Sequence, residues 1–261
     1  MLNLRTESAR KREAAQQVRL SLTLERPFVK QLRAEFARVA KAAAKEARTQ
    51  HAVSDHMVEH RRRLASIFAR HYRIVARAFI TRVADAVSKS ARIVGERKDD
   101  PRVPALSIEA AAVMADLWPK LGHIINRRAA QVAETTDDII RRKVTVGLRD
   151  GATWADIARD VEDSGLNSLR AQTIAATEVH GATQAATNEA AGSLGLALNK
   201  QWVSVEDEHT RLDHVEANAQ EVGFDGTFTI GGAPMAYPGD PSGPPEQVIN
   251  CRCATVFNVQ E

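Results

Sequence analysis

A chain of 261 residues can bury one good hydrophobic core, or one core plus a helical extension, so two or three structural units are expected. Aromatics make up only 5% of it while Ala and Arg abound, which favours helix over sheet, and no apolar run approaches the roughly 20 residues of a membrane-crossing helix. The net charge of +3 hides a split: residues 1–98 hold 23 Lys/Arg against 9 Asp/Glu (+14), and residues 99–261 hold 13 against 24 (−11).

The opening residues, Met1-Leu2-Asn3-Leu4-Arg5, lack the apolar segment of a signal peptide, so a reducing cytoplasm is expected. There the two cysteines read as thiols or metal ligands before they read as a disulfide. Residues 1–24 are polar and basic and read as an arm. From Pro27, a residue suited to a first helical position, Phe28, Leu32, Phe36 and Val39 step by four, four and three. Arg61-Arg62-Arg63 is the densest charge and the candidate DNA-binding patch; the alternative is a solvated Arg-rich helix surface. His51, His56, His60 and His71 read as exposed helix residues. Leu64, Phe68, Tyr72, Val75, Phe79, Val83 and Val87 form one apolar stripe at helical spacing.

Gly95 to Pro104 is a linker by composition. Ser107 is the expected cap of a helix running to about Leu117 and interrupted by Pro119, with a second helix from His123 to Arg149 ended by Gly151. Thr153-Trp154-Ala155-Asp156 has the pattern of a capping box opening a short helix with Ile157 and Val161 inward. Gly165 and Asn167 break it, and Ser168 opens a small-residue helix to about Ala191, closed by Gly192 and Gly195. The texture changes at Lys200. Gln201–Val205, Gly226–Ile230 and Cys253–Val259 are candidate strands, with a Pro/Gly loop too rigid for helix between the last two. The expected fold is mainly α: an elongated helical region over 1–130, then a small α+β domain over 131–261.

Both cysteines fall at C-x-C spacing in Asn250-Cys251-Arg252-Cys253. In extended chain, residues i and i+2 face one side, so Cys251 and Cys253 would present their sulfurs together with Arg252 opposite. Two thiolates with His214, His209 or His180 would suit tetrahedral zinc. The alternative is that both are small buried residues at a strand start. C-x-C is tighter than the usual zinc spacing, so no cofactor is the expectation, with Cys251, Cys253 and His214 as the ligands if a metal binds. Glu178 reads as a structural acid for Arg211 or a backbone turn. No H-E-x-x-H, G-x-S-x-G or P-loop is present, and no catalytic residue is assigned.

Four segments follow in order: Ile174 to His180 with Thr177 and Glu178, then Lys200-Gln201-Trp202-Val203, then Asp207 to His214 with Arg211, then Asn250-Cys251-Arg252-Cys253. Over about residues 140–257 this resembles the phage Mu protein F-like family of minor head (head morphogenesis) proteins of tailed bacteriophages and prophages. Ala176 and His209 stand where the family often has Arg, Asn218-Ala219-Gln220 replaces a common D-G-Q turn, and Glu246 to Asn250 replaces a shorter H-P-N-C-type entry. The resemblance implies a virion component that acts in capsid assembly at the portal and capsid interior. Its expected partners are the portal protein, capsid or scaffolding proteins and, non-specifically, packaged double-stranded DNA, with no membrane. The host cytoplasm would be its site during assembly. The alternatives are a metal-dependent hydrolase or effector acting on nucleic acid, and a non-specific DNA-binding accessory protein.

Overall fold

The computed structural model describes residues 6–54, 56–95, 109–164, 166 and 168–260, with side chains described outside 87–95 and 168. Met1–Arg5, the linker beyond Gly95, the Ser107 cap, the breaks at Gly165 and Asn167 and the side chain of Val87 lie outside the described residues. In chain order the elements are α1 (Glu7–Gln50), α2 (Met57–Gly95), α3 (Ala110–Arg149), α4 (Trp154–Glu162), α5 (Ser168–Gly192), β1 (Leu198–Val203), α6 (Leu212–Glu216), β2 (Glu221–Gly223), β3 (Phe228–Ile230), β4 (Ala233–Met235), α7 (Pro245–Val248) and β5 (Ala254–Val259). The protein is mainly α with a small C-terminal sheet region. No described helix is long and apolar enough to cross a membrane.

Three expectations are corrected. The arm at 1–24 is helix from Glu7 onward and is packed, with Glu13, Ala14, Gln17 and Ser21 buried. Pro27 lies inside α1 and Pro119 inside α3; neither starts or interrupts a helix. An interior proline removes one i→i−4 bond and costs roughly 3 kcal/mol. Burial of Phe28, Leu32 and Phe36 after Pro27, and of Leu117 and Leu121 around Pro119, offsets that cost. His60 and His71 are buried, not exposed.

The chain divides into two compact units. One comprises residues 25–71 and 122–175, the other 1–24, 72–121 and 176–261. The first is an all-helical core. Phe28 meets Phe68 edge-on at 5.2 Å between centroids and stacks on His71 at 4.5 Å. His60 Nδ1 bonds the Glu35 carboxylate at 2.8 Å, which Arg38 also engages. The Thr153–Asp156 capping box opens α4, and Ile157, Ala158 and Val161 face inward.

In the second unit, β1 is the centre of a three-stranded antiparallel sheet ordered β2-β1-β5, with Trp202 opposite Thr255. β3 and β4 form a separate hairpin closed by Gly231 and Gly232, both at positive φ, as a two-residue primed turn demands. β2 and β4 were not expected; at three residues each they are too short to show alternation. The Pro/Gly segment holds one helical turn, α7, because Pro245 sits at its start, where a missing N–H costs nothing. Elsewhere that loop is organised by the Asp240 carboxylate, which accepts from the Ala236 and Ser242 amides and the Ser242 hydroxyl.

Gly147 faces Ile157 so closely that an added Cβ would lie 2.5 Å from Ile157 Cγ1. Gly147→Ala should therefore destabilise by about 1–3 kcal/mol, against a helix-propensity gain of about 1 kcal/mol. A lowered melting temperature, partly restored by adding Ile157→Val, is the expected measurement.

Burial, with Arg70 nearby, depresses the His71 pKa from 6.5 to about 4. A depressed folded-state pKa gives stability that is complete above the unfolded value and is lost as pH falls. Stability should decline between pH 6.5 and 4, and His71→Gln should flatten that slope, by roughly 1–3 kcal/mol over the window, in denaturant melts.

Candidate functional site

The site lies within the second unit. Its floor is the end of β1, where Trp202 is fully buried and meets His214 and Phe228 edge-on at 5.6 and 5.4 Å. His214 comes from the short helix α6, and Cys251 and Cys253 from the turn before β5; all three are buried. Asn250 has φ +55, a left-handed conformation that asparagine tolerates better than most residues. Its amide donates to Thr177 Oγ1 at 3.1 Å, and the Cys251 amide to the Val248 carbonyl at 3.2 Å. The turn so fixed directs both sulfurs inward.

His214 Nδ1 stands 3.3 Å from Cys253 Sγ and 3.7 Å from Cys251 Sγ. The other ring nitrogen, Nε2, lies 2.9 Å from Gln247 Oε1, and Gln247 Nε2 donates to Asp213 Oδ2 at 2.6 Å. A carboxylate only accepts, so the Gln247 amide is oriented with its oxygen toward His214, and Nε2 must carry the proton. In the neutral ring, Nδ1 is then a bare lone pair facing two sulfurs. Gly231, at φ +54, closes over this chain. A Cβ there would lie 2.5 Å from both Asp213 Oδ2 and Gln247 Nε2.

The two thiols are an interacting pair. Burial raises the Cys251 thiol, but the Cys253 thiol and the His180 and His214 rings overcome it, and Cys251 is held well below the usual thiol range. Cys253 is pushed well above it by its neighbour Cys251 and by burial. Two buried sulfurs this close do not both ionise unless a cation lies between them.

The remaining motif residues support this turn. Arg252 points away from the sulfurs and grips Asp207 through two bonds of 2.6 and 2.7 Å, which holds the Asp207 carboxyl below its ordinary value. Arg211 donates to the Ile249 carbonyl at 2.6 Å. Buried Glu178 does not meet Arg211; it accepts from the Tyr72 hydroxyl. His180 is buried against Cys251, and its Nε2 has no hydrogen-bond partner among the described residues. His209 is exposed beside Glu208 and lines the cleft next to the thiols, but it is not among the mutually close metal-ligand atoms. Asp207, His209, Asp213 and His214 form no metal cluster among the described residues, because Arg252 and Gln247 occupy the two carboxylates; the group that could hold a metal is His214, Cys251 and Cys253. A shallow cleft lined by Val205, Thr210, Arg211 and the Asn250–Cys253 turn opens beside it. The expected DNA patch is exposed at Arg61, Arg62 and Arg63, but Glu59 pairs with both Arg62 and Arg63.

The decisive residue that sequence reasoning missed is Gln247. No linear signal marks it, since its partners lie more than 30 residues upstream.

The helix α5, the strands β1 and β2, and an N-C-x-C turn that leads into β5 together build this thiol–imidazole site. Residues 138–256 match the family described as "Phage Mu protein F like protein", and this segment is a phage Mu protein F-like domain. That domain marks a phage head-related protein. The chain is 32% identical over 143 residues to a protein of Enterococcus faecalis named NAD(+)--arginine ADP-ribosyltransferase EFV, covering 53% of this chain and 29% of the relative. It is 27% identical over 161 residues to the uncharacterized protein YqbB of Bacillus subtilis, covering 59% of this chain and 50% of that one. The chain thus spans half or less of the length of these curated relatives. No solved structure matches it significantly.

Proposed function

We propose that this protein is a structural component of a phage or prophage head, acting in assembly at the portal and capsid interior. The observation that carries the reading is the use of the motif residues. Thr177 holds the Asn250 amide, Glu178 the Tyr72 hydroxyl, Asp207 the Arg252 guanidinium, and Trp202 fills the core. Side chains committed to internal bonds in this way stabilise a scaffold, and the Cys251–His214–Gln247 chain is read as structural because both Cys251 and His214 are buried. The shared part is 29% of the Enterococcus relative, so that protein's name does not by itself bring its activity to this chain, and the reading is of a non-enzyme. The nucleic-acid hydrolase alternative is disfavoured by the same geometry. Sulfur ligands suit zinc, whereas the hard cations of most nucleases take oxygen.

A surface for a protein neighbour lies on α6. Leu212 is 78% exposed and Val215 40%, and the Arg211 bond brings Ile249, 41% exposed, beside them. The partner is the portal protein or a capsid or scaffolding protein. Co-expression with the portal of the same phage should yield a complex on size-exclusion chromatography. Leu212→Asp should weaken that complex at least about tenfold with an unchanged melting temperature. Absence of any complex and of the polypeptide from virions would sink the proposal.

DNA contact is a weaker second component, motivated by the +14 of residues 1–98. Only two of these cations pair with acids outside the span, Lys11 with Glu206 and Arg48 with Glu162; the pairs Arg82–Glu13 and Arg38–Glu35 lie within it. Binding through phosphates alone should be sequence-independent and should fall steeply between 50 and 200 mM salt, by a factor of about ten for every two phosphates contacted. Fluorescence anisotropy on duplexes of unrelated sequence is the measurement, and a salt-independent or sequence-selective isotherm would contradict it.

A further inference from the structure

We infer that Cys251, Cys253, His214 and His180 form a tetrahedral zinc site that ties the C-terminal turn to α5 and α6. The inference is independent of the head-assembly reading.

The distances carry it. Zinc bonds of about 2.3 Å to sulfur and 2.0–2.1 Å to nitrogen, at a tetrahedral angle, set sulfur and nitrogen about 3.6 Å apart. His214 Nδ1 lies 3.3 and 3.7 Å from the two sulfurs, so one cation placed among the three atoms meets all of them at bonding distance. The tautomer is the one a metal needs, because the Gln247 oxygen fixes the proton on Nε2 and leaves Nδ1 free to donate its pair. Gln247, itself held by Asp213, is then the outer partner that a metal-bound imidazole ordinarily has.

The fourth ligand follows from an orphaned atom. His180 is 5% exposed, stands against Cys251, and buries an Nε2 with no partner. A buried nitrogen without a partner is unfavourable. His180 stands outside the trio of mutually close ligand atoms, so its ring has to turn toward them to fill the fourth position. The Trp202 indole N–H is buried without a hydrogen-bond partner among the described residues, on the ring that meets His214 edge-on.

Charge balances as well. Two thiols bind Zn²⁺ as two thiolates, releasing two protons to solvent and leaving the buried centre neutral. A buried divalent ion on neutral ligands alone would be far less favourable. The C-x-C spacing, tight for two ligands on a free loop, is accommodated because the left-handed Asn250 and the Arg252–Asp207 pair hold the turn with both sulfurs on one side.

The test uses the full chain, expressed without added metal and purified without chelator. Elemental analysis should give about one zinc per chain. Removal by chelator should lower the melting temperature, and cobalt(II) added to the stripped chain should produce thiolate-to-cobalt charge-transfer absorption with tetrahedral ligand-field bands. His180→Ala should keep the charge-transfer band yet lose zinc to a competing chelator at least about tenfold more readily, and Gln247→Ala about ten- to a hundredfold more readily. Zinc at the background of a metal-free control protein, together with no cobalt–thiolate band, overturns the site even if the cysteine variants fail to fold. Undiminished zinc retention in His180→Ala overturns the fourth ligand.

Discussion

The second unit depends on how closely other elements approach one helix. From Ala176 onward, α5 is built almost entirely of small residues, with Val179, Ala182, Thr183, Ala186, Thr187 and Ala190 buried. Small side chains contribute little transfer energy each, but they let neighbouring backbones come near. Gly181 shows the limit: a Cβ there would sit 3.1 Å from the Gly239 carbonyl. At such distances buried polar groups gain most from partners, and several residues of α5 have them. Tyr72 reaches Glu178, Ser21 reaches Thr183, and Gln184 donates to Gln17 while accepting from the Thr255 amide. Gln17 in turn lies 3.4 Å from the Thr255 carbonyl. One buried amide pair thus joins α1, α5 and β5, and fixes where β5 and the turn before it begin.

That network explains which parts of the fold were legible in the sequence. Elements with a strong period were readable. The stripe from Leu64 to Val83 and the capped start of α4 encode their faces locally, whereas β5 buries Ala254 to Phe257 without alternation. The start of α1, residues 7–24, was not, because what makes it helix is Gln17 meeting residues 167 and 238 positions away and Ala14 packing on Val203, Ala254 and Val256. A polar segment with tertiary partners is indistinguishable, in sequence, from a solvated arm. The two prolines mislead for a related reason: local propensity argues for a break, and burial on both sides overrides it. His60 and His71 were misread because their neighbours in sequence are charged, whereas their neighbours in space are Glu35 and Phe28.

The candidate site was readable in its ligand types but not in its geometry. The C-x-C spacing alone places two sulfurs on one side of the chain. The positions of His214 and Gln247 depend on α6 and α7, helices of five and four residues that have no period to read. The departures from the family pattern also gain a physical meaning. Ala219 occupies φ +65, where the common glycine would rest without strain, and it is held there by an amide bond of 2.9 Å to the Trp202 carbonyl. Its neighbours add Asn218 Oδ1 to the Ser204 amide and Gln220 Oε1 to the Thr229 amide. The turn keeps its shape by side-chain bonds in place of backbone freedom.

The same logic bears on why a domain of this kind needs a closure at its C-terminal end. Beyond β1 the described elements are short, and the segments between them are turns whose backbone groups are held singly, by Asp240, Asp207 or Gln220. Such segments open locally at low cost, since few apolar contacts resist them. Phe228, Ile230, Met235 and Val248 do form a core around Trp202, but it is small, and Cys251 and Cys253 are part of it. In the proposed site, a cation held by those two sulfurs, with one imidazole from α6 and one from α5, would convert several separate low-cost openings into one costly one. Under the proposed role in head assembly, that closure would supply rigidity where the hydrophobic core is least able to supply it.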